Sequence, residues 1–227
     1  VIVFNGEIYN FQELKKDHLS TSSFETNGDT EVLLKMWIKY GPKCLNYLDG
    51  MYSFALWDSE NLFLVTDFFG EKPLFICELD DKILFCSEAK IFIDIFKNNF
   101  ENHKTPFFDF FGIQINEERL FNHIKKVSKN SILKINSGKI KEKFSVQRVK
   151  NSRQKIYELT NQNLEEIIDL LIKSTRKRLI SDQKISILQS GGYDSTLLLA
   201  IINKEIKKDF KCYHLEQDNV SEKKQIL

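Results

Sequence analysis

No two cysteines in this 227-residue sequence stand at the CxxC spacing of a zinc or redox site: Cys44, Cys77, Cys86 and Cys212 lie far apart, and the four histidines are as scattered. Zinc-type ligand spacing is therefore absent. The four thiols read as reduced, mostly buried side chains of a cytosolic protein. Surplus charge is missing too. With 33 basic and 32 acidic residues and a net charge of +1, nothing steers the chain toward nucleic acid or an anionic membrane. The lysine-rich stretches Lys141 to Lys143 and Lys204 to Lys208 read as solvated faces. No apolar run reaches membrane-spanning length, and no signal peptide, internal repeat or low-complexity tract is found. An initiator methionine is also lacking. The sequence opens at Val1 inside the run Val1-Ile2-Val3-Phe4 and closes at Leu227, so both ends are expected to be cut.

What is present is core-forming material. Hydrophobic residues make up 42% of the chain and phenylalanine alone contributes 19, so a globular chain of one or two domains is expected. Val1 to Phe4 reads as a buried strand followed directly by an Asn5-Gly6 turn. Asn10, with Glu13 three residues on, reads as the cap of a short helix. Val32, Leu33, Met36, Trp37 and Tyr40 form one helical stripe, with Asp29 or Thr30 as its cap and Gly41-Pro42 as its stop; Lys43 to Leu48 reads as a further short helix. Strands are expected over Met51–Trp57, Leu62–Thr66, Leu74–Leu79 and Ile83–Ser87. Apolar residues on both faces of the first call for a layered structure. Helices are expected over Glu88–Phe96 and Thr105–Phe111, and a hairpin turning at Asn136-Ser137-Gly138. Lys150 to Gln162 reads as a linker. Leu164, Ile167, Ile168, Leu171, Ile172, Thr175 and Leu179 mark a long amphipathic helix beyond it, and Phe210 to Leu215 reads as a parallel strand.

The most informative stretch is Gln189-Ser190-Gly191-Gly192-Tyr193-Asp194-Ser195-Thr196. An Ile-rich run precedes it and helically spaced apolar residues follow, which reads as strand, tight loop and helix. Paired glycines let backbone approach a ligand, and the first N–H groups of a helix favour an anion. Ser190, Ser195 and Thr196 add hydroxyls, and Asp194 is placed to hold a divalent cation between phosphate oxygens. No lysine follows the glycines, which excludes a Walker loop. A bland alternative remains, a Gly-Gly turn opening a core helix. Likewise Asn5-Gly6 alone reads as a plain turn, and Asp29 alone as a helix cap.

The loop resembles the SGGxDS loop of the ATP pyrophosphatases. Val3-Phe4-Asn5-Gly6-Glu7-Ile8-Tyr9-Asn10 resembles the NGEIYN signature of class II glutamine amidotransferases, and Gly28-Asp29-Thr30-Glu31-Val32 resembles their DTEV block. The blocks Leu48 to Asp58 and Asp67 to Phe75 are similar to the strand blocks that follow in those proteins. In this order the blocks resemble the glutamine-dependent asparagine synthetase family. The resemblance implies a partial α+β N-terminal-nucleophile glutaminase domain, an αββα sandwich, over 1–149. It implies a linker over 150–162 and a partial α/β ATP-pyrophosphatase domain over 163–227. The implied activity is hydrolysis of glutamine, followed by ATP- and Mg2+-dependent adenylation of aspartate and displacement of AMP by ammonia. Asn5 and Gly6 match the oxyanion hole, and Glu7 and Asp29 match the residues that hold the glutamine α-amino group. Leu188 and Leu215 match positions beside adenine. Ser190, Gly191, Gly192, Asp194 and Ser195 match the pyrophosphate site, with Asp194 as metal ligand. A cytoplasmic enzyme is implied, a homodimer is compatible with the family, and no nucleic-acid or membrane partner is expected.

Departures from the pattern are specific. The family's nucleophile is an N-terminal cysteine that uses its own α-amine as base. Val1 stands first here, and none of the four cysteines lies in a matching block. The nucleophile and the Arg that binds the glutamine carboxylate are expected to be missing, and the chain as given is not expected to hydrolyse glutamine. Thr66 replaces a usual Arg, Gln189 a usual apolar residue and Tyr193 a usual Leu or Ile. Two alternatives stay open. One is the same ATP chemistry on another carboxylate, such as a sugar acid or a lactam precursor; the other is a non-catalytic product that binds ATP weakly or merely folds.

Overall fold

A computed structural model describes residues 1–96, 119–121, 123–146, 160–181, 183–206 and 209–214. The chain divides into two compact units, Val1–Asn151 and Ser152–Leu227. The expected helix at Thr105–Phe111 and the site position Leu215 lie outside the described residues, as does most of the expected linker.

In the first unit, strands β1 (Ile2–Ile8), β2 (Gly50–Trp57), β3 (Leu62–Thr66), β8 (Ile132–Asn136) and β9 (Lys139–Phe144) form, among the described residues, an antiparallel sheet in the order β1-β2-β3-β8-β9. A second antiparallel sheet has the order β5-β4-β7-β6, from β4 (Phe75–Glu78), β5 (Ile83–Cys86), β6 (Arg119–Phe121) and β7 (Ile124–Lys126). Three apolar clusters define the layers. Helices α1 (Phe11–His18) and α2 (Asp29–Tyr40) pack Leu14, Val32, Leu33, Met36 and Trp37 on Tyr52, Phe54, Leu56, Phe63 and Val65 of the first sheet. Ala55, Leu64, Leu133 and Ile135 on its other face meet Leu74, Ile76 and Val127 of the second sheet. Phe92 of α3 (Lys90–Phe96) closes over Cys77 and Ile124. Helix, sheet, sheet and helix thus succeed one another, which is why β2 is apolar on both faces.

The helical stripe on α2 is the most buried part of this unit, with Val32, Leu33 and Met36 at 0% exposure and Trp37 set edge-on to Phe54 and Phe63. Burying each such side chain contributes about 1.5–3 kcal/mol relative to exposure. Both expected caps are corrected. Gly28, not Asp29 or Thr30, precedes the first turn of α2, and Asp29 turns its carboxylate to the Ile8 N–H. Asn10 does stand before α1, but its side chain makes no capping bond. Instead its Nδ2 donates to Tyr47 O and its Oδ1 accepts from Asp49 N–H, which ties the start of α1 to the approach to β2.

A further correction concerns Asn5-Gly6. No turn forms there: β1 runs through both residues, pairing Asn5 with Ser53 and Gly6 with Tyr52. The strand lies at the sheet edge with Val1 and Val3 exposed, so it is not the buried strand expected. Strands β6 and β7 have no counterpart in the sequence reading.

In the second unit, α4 (Asn161–Arg178) is capped by Thr160, whose hydroxyl accepts from Asn163 N–H. Asn161 and Gln162, read as linker, are therefore helical. Strands β10 (Ser186–Gln189) and β11 (Lys211–His214) pair in parallel, and α5 (Tyr193–Ile201) follows β10 directly. Of the apolar stripe on α4, Leu164, Ile167 and Ile168 stay more than 40% exposed, while Thr175 and Leu179 are buried.

Candidate functional site

Asn5, Gly6 and Glu7, expected from the sequence to meet glutamine, lie on β1, and the Asp29 carboxylate reaches the edge of that strand. Val1 exchanges both backbone hydrogen bonds with Trp57, so by the alternation of an antiparallel ladder Val3, Asn5 and Glu7 bond to β2, while Ile2, Phe4, Gly6 and Ile8 turn their N–H groups away from it. Ile8 follows this rule: its outward N–H donates to Asp29 Oδ2 at 2.8 Å. Gly6 N–H points to the same open edge, two residues and about 7 Å back along the strand. A backbone donor and a carboxylate therefore share one rail, at a separation close to the reach of glutamine from side-chain amide to α-carbon. Asp29 Oδ1 has only a 3.5 Å contact with the Thr30 hydroxyl, which leaves it able to accept from an ammonium. Gly6 has φ +153°, and a Cβ there would collide with Met51 O and Tyr52 Cα, so only glycine fits.

The Asn5 side chain is exposed and donates from Nδ2 to Ser87 Oγ at 3.2 Å. Glu7, also exposed, stands two residues further on the same face of β1. The open cleft of about 540 Å³ bounded by Phe68, Phe69, Lys129, Lys143 and Phe144 does not include these residues.

Three residues that sequence reasoning left without a role hold this region. Asp67, 1% exposed, accepts five backbone N–H groups: Phe69, Gly70 and Glu71 on Oδ1, Tyr52 and Lys72 on Oδ2. Thr66, which stands where the family pattern has Arg, is buried and bridges Ser128 O and Ser131 N–H through its hydroxyl. Glu31 takes the N–H groups of Glu25 and Thr26 and the Thr26 hydroxyl, and pairs with Lys35. Those backbone bonds, Glu25 first, hold its carboxyl down at about 2. The DTEV-like block thus does two jobs: Asp29 serves the edge, and Glu31 folds the preceding segment onto α2.

Three of the cysteines sit where the thiolate is disfavoured. Burial pushes the Cys44 thiol up to about 12 and raises Cys77 and Cys86, while Cys212 is exposed, a correction to the expectation that the thiols are mostly buried. A thiolate nucleophile needs the opposite shift.

In the second unit, Gly191 (φ +87°) and Gly192 carry the chain from β10 into α5. Asp194 lies in the first turn of that helix. The hydroxyls expected to face a phosphate hold the loop itself in this conformation. Ser195 Oγ and Thr196 Oγ1 both donate to Gly192 O, and Ser190 Oγ accepts from Gly192 N–H and lies 3.1 Å from Ser195 Oγ. Leu188 is 81% and Tyr193 85% exposed. No group of three His, Cys, Asp or Glu side chains gathers among the described residues. A magnesium ion here would rest on Asp194 and on the phosphate oxygens of its nucleotide, a donor set that suits a hard cation.

Gln189 is buried under the loop at 4% exposure. Its Nε2 donates to Thr196 Oγ1 at 2.9 Å, and its Oε1 has no partner among the described residues. An orphaned buried acceptor costs about 1–3 kcal/mol, against about 0.5–1.5 kcal/mol gained from one neutral hydrogen bond. Gln189→Leu is therefore expected to stabilise the second unit by about 1 kcal/mol. Thermal unfolding checks this; a lower melting temperature would show that a donor reaches Oε1.

Comparison with known proteins agrees with the order of the blocks. Residues 1–145 match the glutamine amidotransferase domain model, and residues 166–225 match that of asparagine synthase. Among curated proteins the chain is similar to asparagine synthetase [glutamine-hydrolyzing] 1 of Bacillus subtilis, 30% identical over 97% of this chain and 35% of the relative. It is similar also to asparagine synthetase [glutamine-hydrolyzing] of Mus musculus, 32% identical over 95% of this chain and 38% of the relative. The chain spans about a third of the length of the curated relatives it matches. Among solved structures, glutamine phosphoribosylpyrophosphate amidotransferase from B. subtilis in complex with ADP and GMP aligns at TM-score 0.46 and 17% identity, over 94% of this chain and 45% of that one. Matched over more than half its length, the chain belongs to the glutamine amidotransferase domain family.

Proposed function

We propose that the whole protein is a glutamine-hydrolysing asparagine synthetase, in which 1–149 is the partial N-terminal-nucleophile glutaminase domain, 150–162 the linker and 163–227 the start of the ATP-pyrophosphatase domain. The observation that carries this reading is the open rail of β1, where Gly6 N–H and the Asp29 carboxylate are spaced for one glutamine molecule, in a chain whose later part matches asparagine synthase.

Glutamine lies along β1. Its α-ammonium meets Asp29 and Glu7, opposite charges that fix the far end of the substrate. When the family's cysteine thiolate, which none of the cysteines of 1–227 supplies, adds to the amide carbon, the carbon turns tetrahedral and its oxygen gains negative charge. Gly6 N–H and Asn5 Nδ2 are the donors that meet it, and such donors are already oriented before the charge appears. Collapse breaks the C–N bond, expels ammonia and leaves a thioester that water hydrolyses to glutamate. Ammonia then serves the second unit. There the loop from Ser190 to Ser195, with Leu188 and Leu215 beside the adenine, binds ATP, and Asp194 holds its magnesium. To bind phosphate, the Ser190 and Ser195 hydroxyls exchange their bonds within the loop for bonds to the ligand. Bound magnesium supplies charge neutralisation at the phosphates. Adenylation of the aspartate carboxylate converts a poor leaving oxygen into AMP, which ammonia displaces to give asparagine, with pyrophosphate as the other product. The absence of a membrane-spanning helix among the described residues is compatible with the cytoplasmic location we assign, and homodimerisation remains compatible with the family.

Asn5→Ala tests the coupling. In the whole protein, asparagine formation from glutamine is expected to fall at least about a hundredfold, the effect of losing an oxyanion donor, while formation from free ammonia is unchanged. Equal loss with both nitrogen sources would remove Asn5 from the glutamine site, and asparagine formed from neither source in the unsubstituted protein would sink the whole reading.

A further inference from the structure

Asn5 carries a primary amide on an exposed face, and the torsion that sets such an amide plane is broad. Left alone, it would present Nδ2 or Oδ1 to the substrate about equally, and only Nδ2 can meet a developing oxyanion. One contact among the described residues removes this ambiguity. Asn5 Nδ2 donates to Ser87 Oγ at 3.2 Å across 82 residues of sequence. Ser87 follows β5 directly, at the end of the strand that pairs Cys86 with Phe75, and it precedes α3. The second sheet also reaches this place elsewhere: Ser53, the strand partner of Asn5, donates from its hydroxyl to Pro73 O just before β4. The backbone at Ser87 is held on its far side, where Cys86 Sγ contacts Glu88 O and Glu88 pairs with Lys90.

We propose that Ser87 is a positioning residue for Asn5. Its oxygen takes one of the two Nδ2 hydrogens, so the plane of the amide is set, the other hydrogen is left for the substrate oxygen, and Oδ1 is turned away. Ser87 acts only through Asn5 and does not touch the reacting atoms. It also makes the geometry of a β1 residue depend on the second sheet, which a donor on an edge strand otherwise lacks. This inference rests on the glutaminase reading of Asn5.

The test follows the Asn5 side-chain amide by 15N-correlated NMR in the whole protein, with 15N-labelled asparagine, during titration with L-glutamine, and Asn5→Ala assigns the pair of signals. In the unsubstituted protein the two Nδ2 protons are expected to be well separated and to shift as glutamine is added. Ser87→Ala is expected to move the signal of the proton that bonds Ser87 upfield, toward that of a free asparagine amide, and to weaken glutamine binding severalfold, while Ser87→Thr, which keeps the oxygen, restores both. A role in stability alone would lower the unfolding midpoint and leave the amide signals and glutamine affinity of the folded chain as they were, and that outcome overturns the proposal. Glutamine shifts that are indifferent to Ser87→Ala overturn it as well, with the glutaminase reading intact. If glutamine moves no Asn5 signal in the unsubstituted whole protein, the glutaminase reading fails and this inference fails with it.

Discussion

Gly6→Ala is expected to destabilise the first unit by about 4 kcal/mol, the sum of a strained backbone position and an overpacked contact. That is roughly a thousandfold in the folding equilibrium. The added methyl meets Met51 O and Tyr52 Cα, main-chain atoms of the neighbouring strand that no side-chain rotation can move. Its φ of +153° disfavours any residue with a Cβ even without the collision. Relief requires β1 to part from β2, which also displaces the N–H assigned to the oxyanion. Urea unfolding measures the loss, and Gly28→Ala is the control, since a Cβ at Gly28 meets nothing within 4 Å. A Gly6→Ala chain as stable as its parent would mean that β1 does not lie on β2 in this register.

Asp67→Ala is expected to cost at least about 4 kcal/mol, because it removes the side-chain acceptor of five buried or half-buried N–H groups, of which Gly70 keeps a bond to the Asp67 carbonyl, and each group left unsatisfied costs about 1–3 kcal/mol. Asn is the informative second substitution. Its Oδ1 can still take Phe69, Gly70 and Glu71, but an amide NH2 in place of Oδ2 faces the N–H groups of Tyr52 and Lys72, donor against donor. Asp67→Asn is expected to lose about half as much as Asp67→Ala by chemical denaturation. A loss below about 1 kcal/mol for the alanine variant would show that water satisfies the loop once the carboxylate is gone.

These two residues also mark where the sequence was readable. The α2 stripe could be read directly, since a 3.6-residue period with Gly41-Pro42 behind it admits few other folds, and β2 and β3 announced themselves by apolar runs between polar connections. Asn5-Gly6 misled because glycine is a local signal with two meanings. It favours a turn when the chain is free to reverse, and it also fits a strand where the neighbouring backbone leaves no room for a Cβ. Asp67 could be recognised as part of a block, but its partners are backbone groups, which every residue carries. Ser87 was hidden by its distance of 82 positions from Asn5, a separation across which side-chain pairing has no sequence pattern. On α4 the period was right and the burial was not, because periodicity tells which face is apolar and nothing about how much surface is available to cover it.

The two margins of the five-stranded sheet are unlike. On β9, Lys139, Lys141, Glu142 and Lys143 are exposed, and charged side chains along a margin disfavour an added strand. On β1, among the described residues, the margin carries valine, glycine and outward N–H groups, and charge only near Ile8, where Asp29 and Glu7 stand. Growth of the sheet by an extended peptide is therefore one-sided, and the side that admits it is the one on which a glutamine would lie, so a strand added there and the substrate would compete for the same donors.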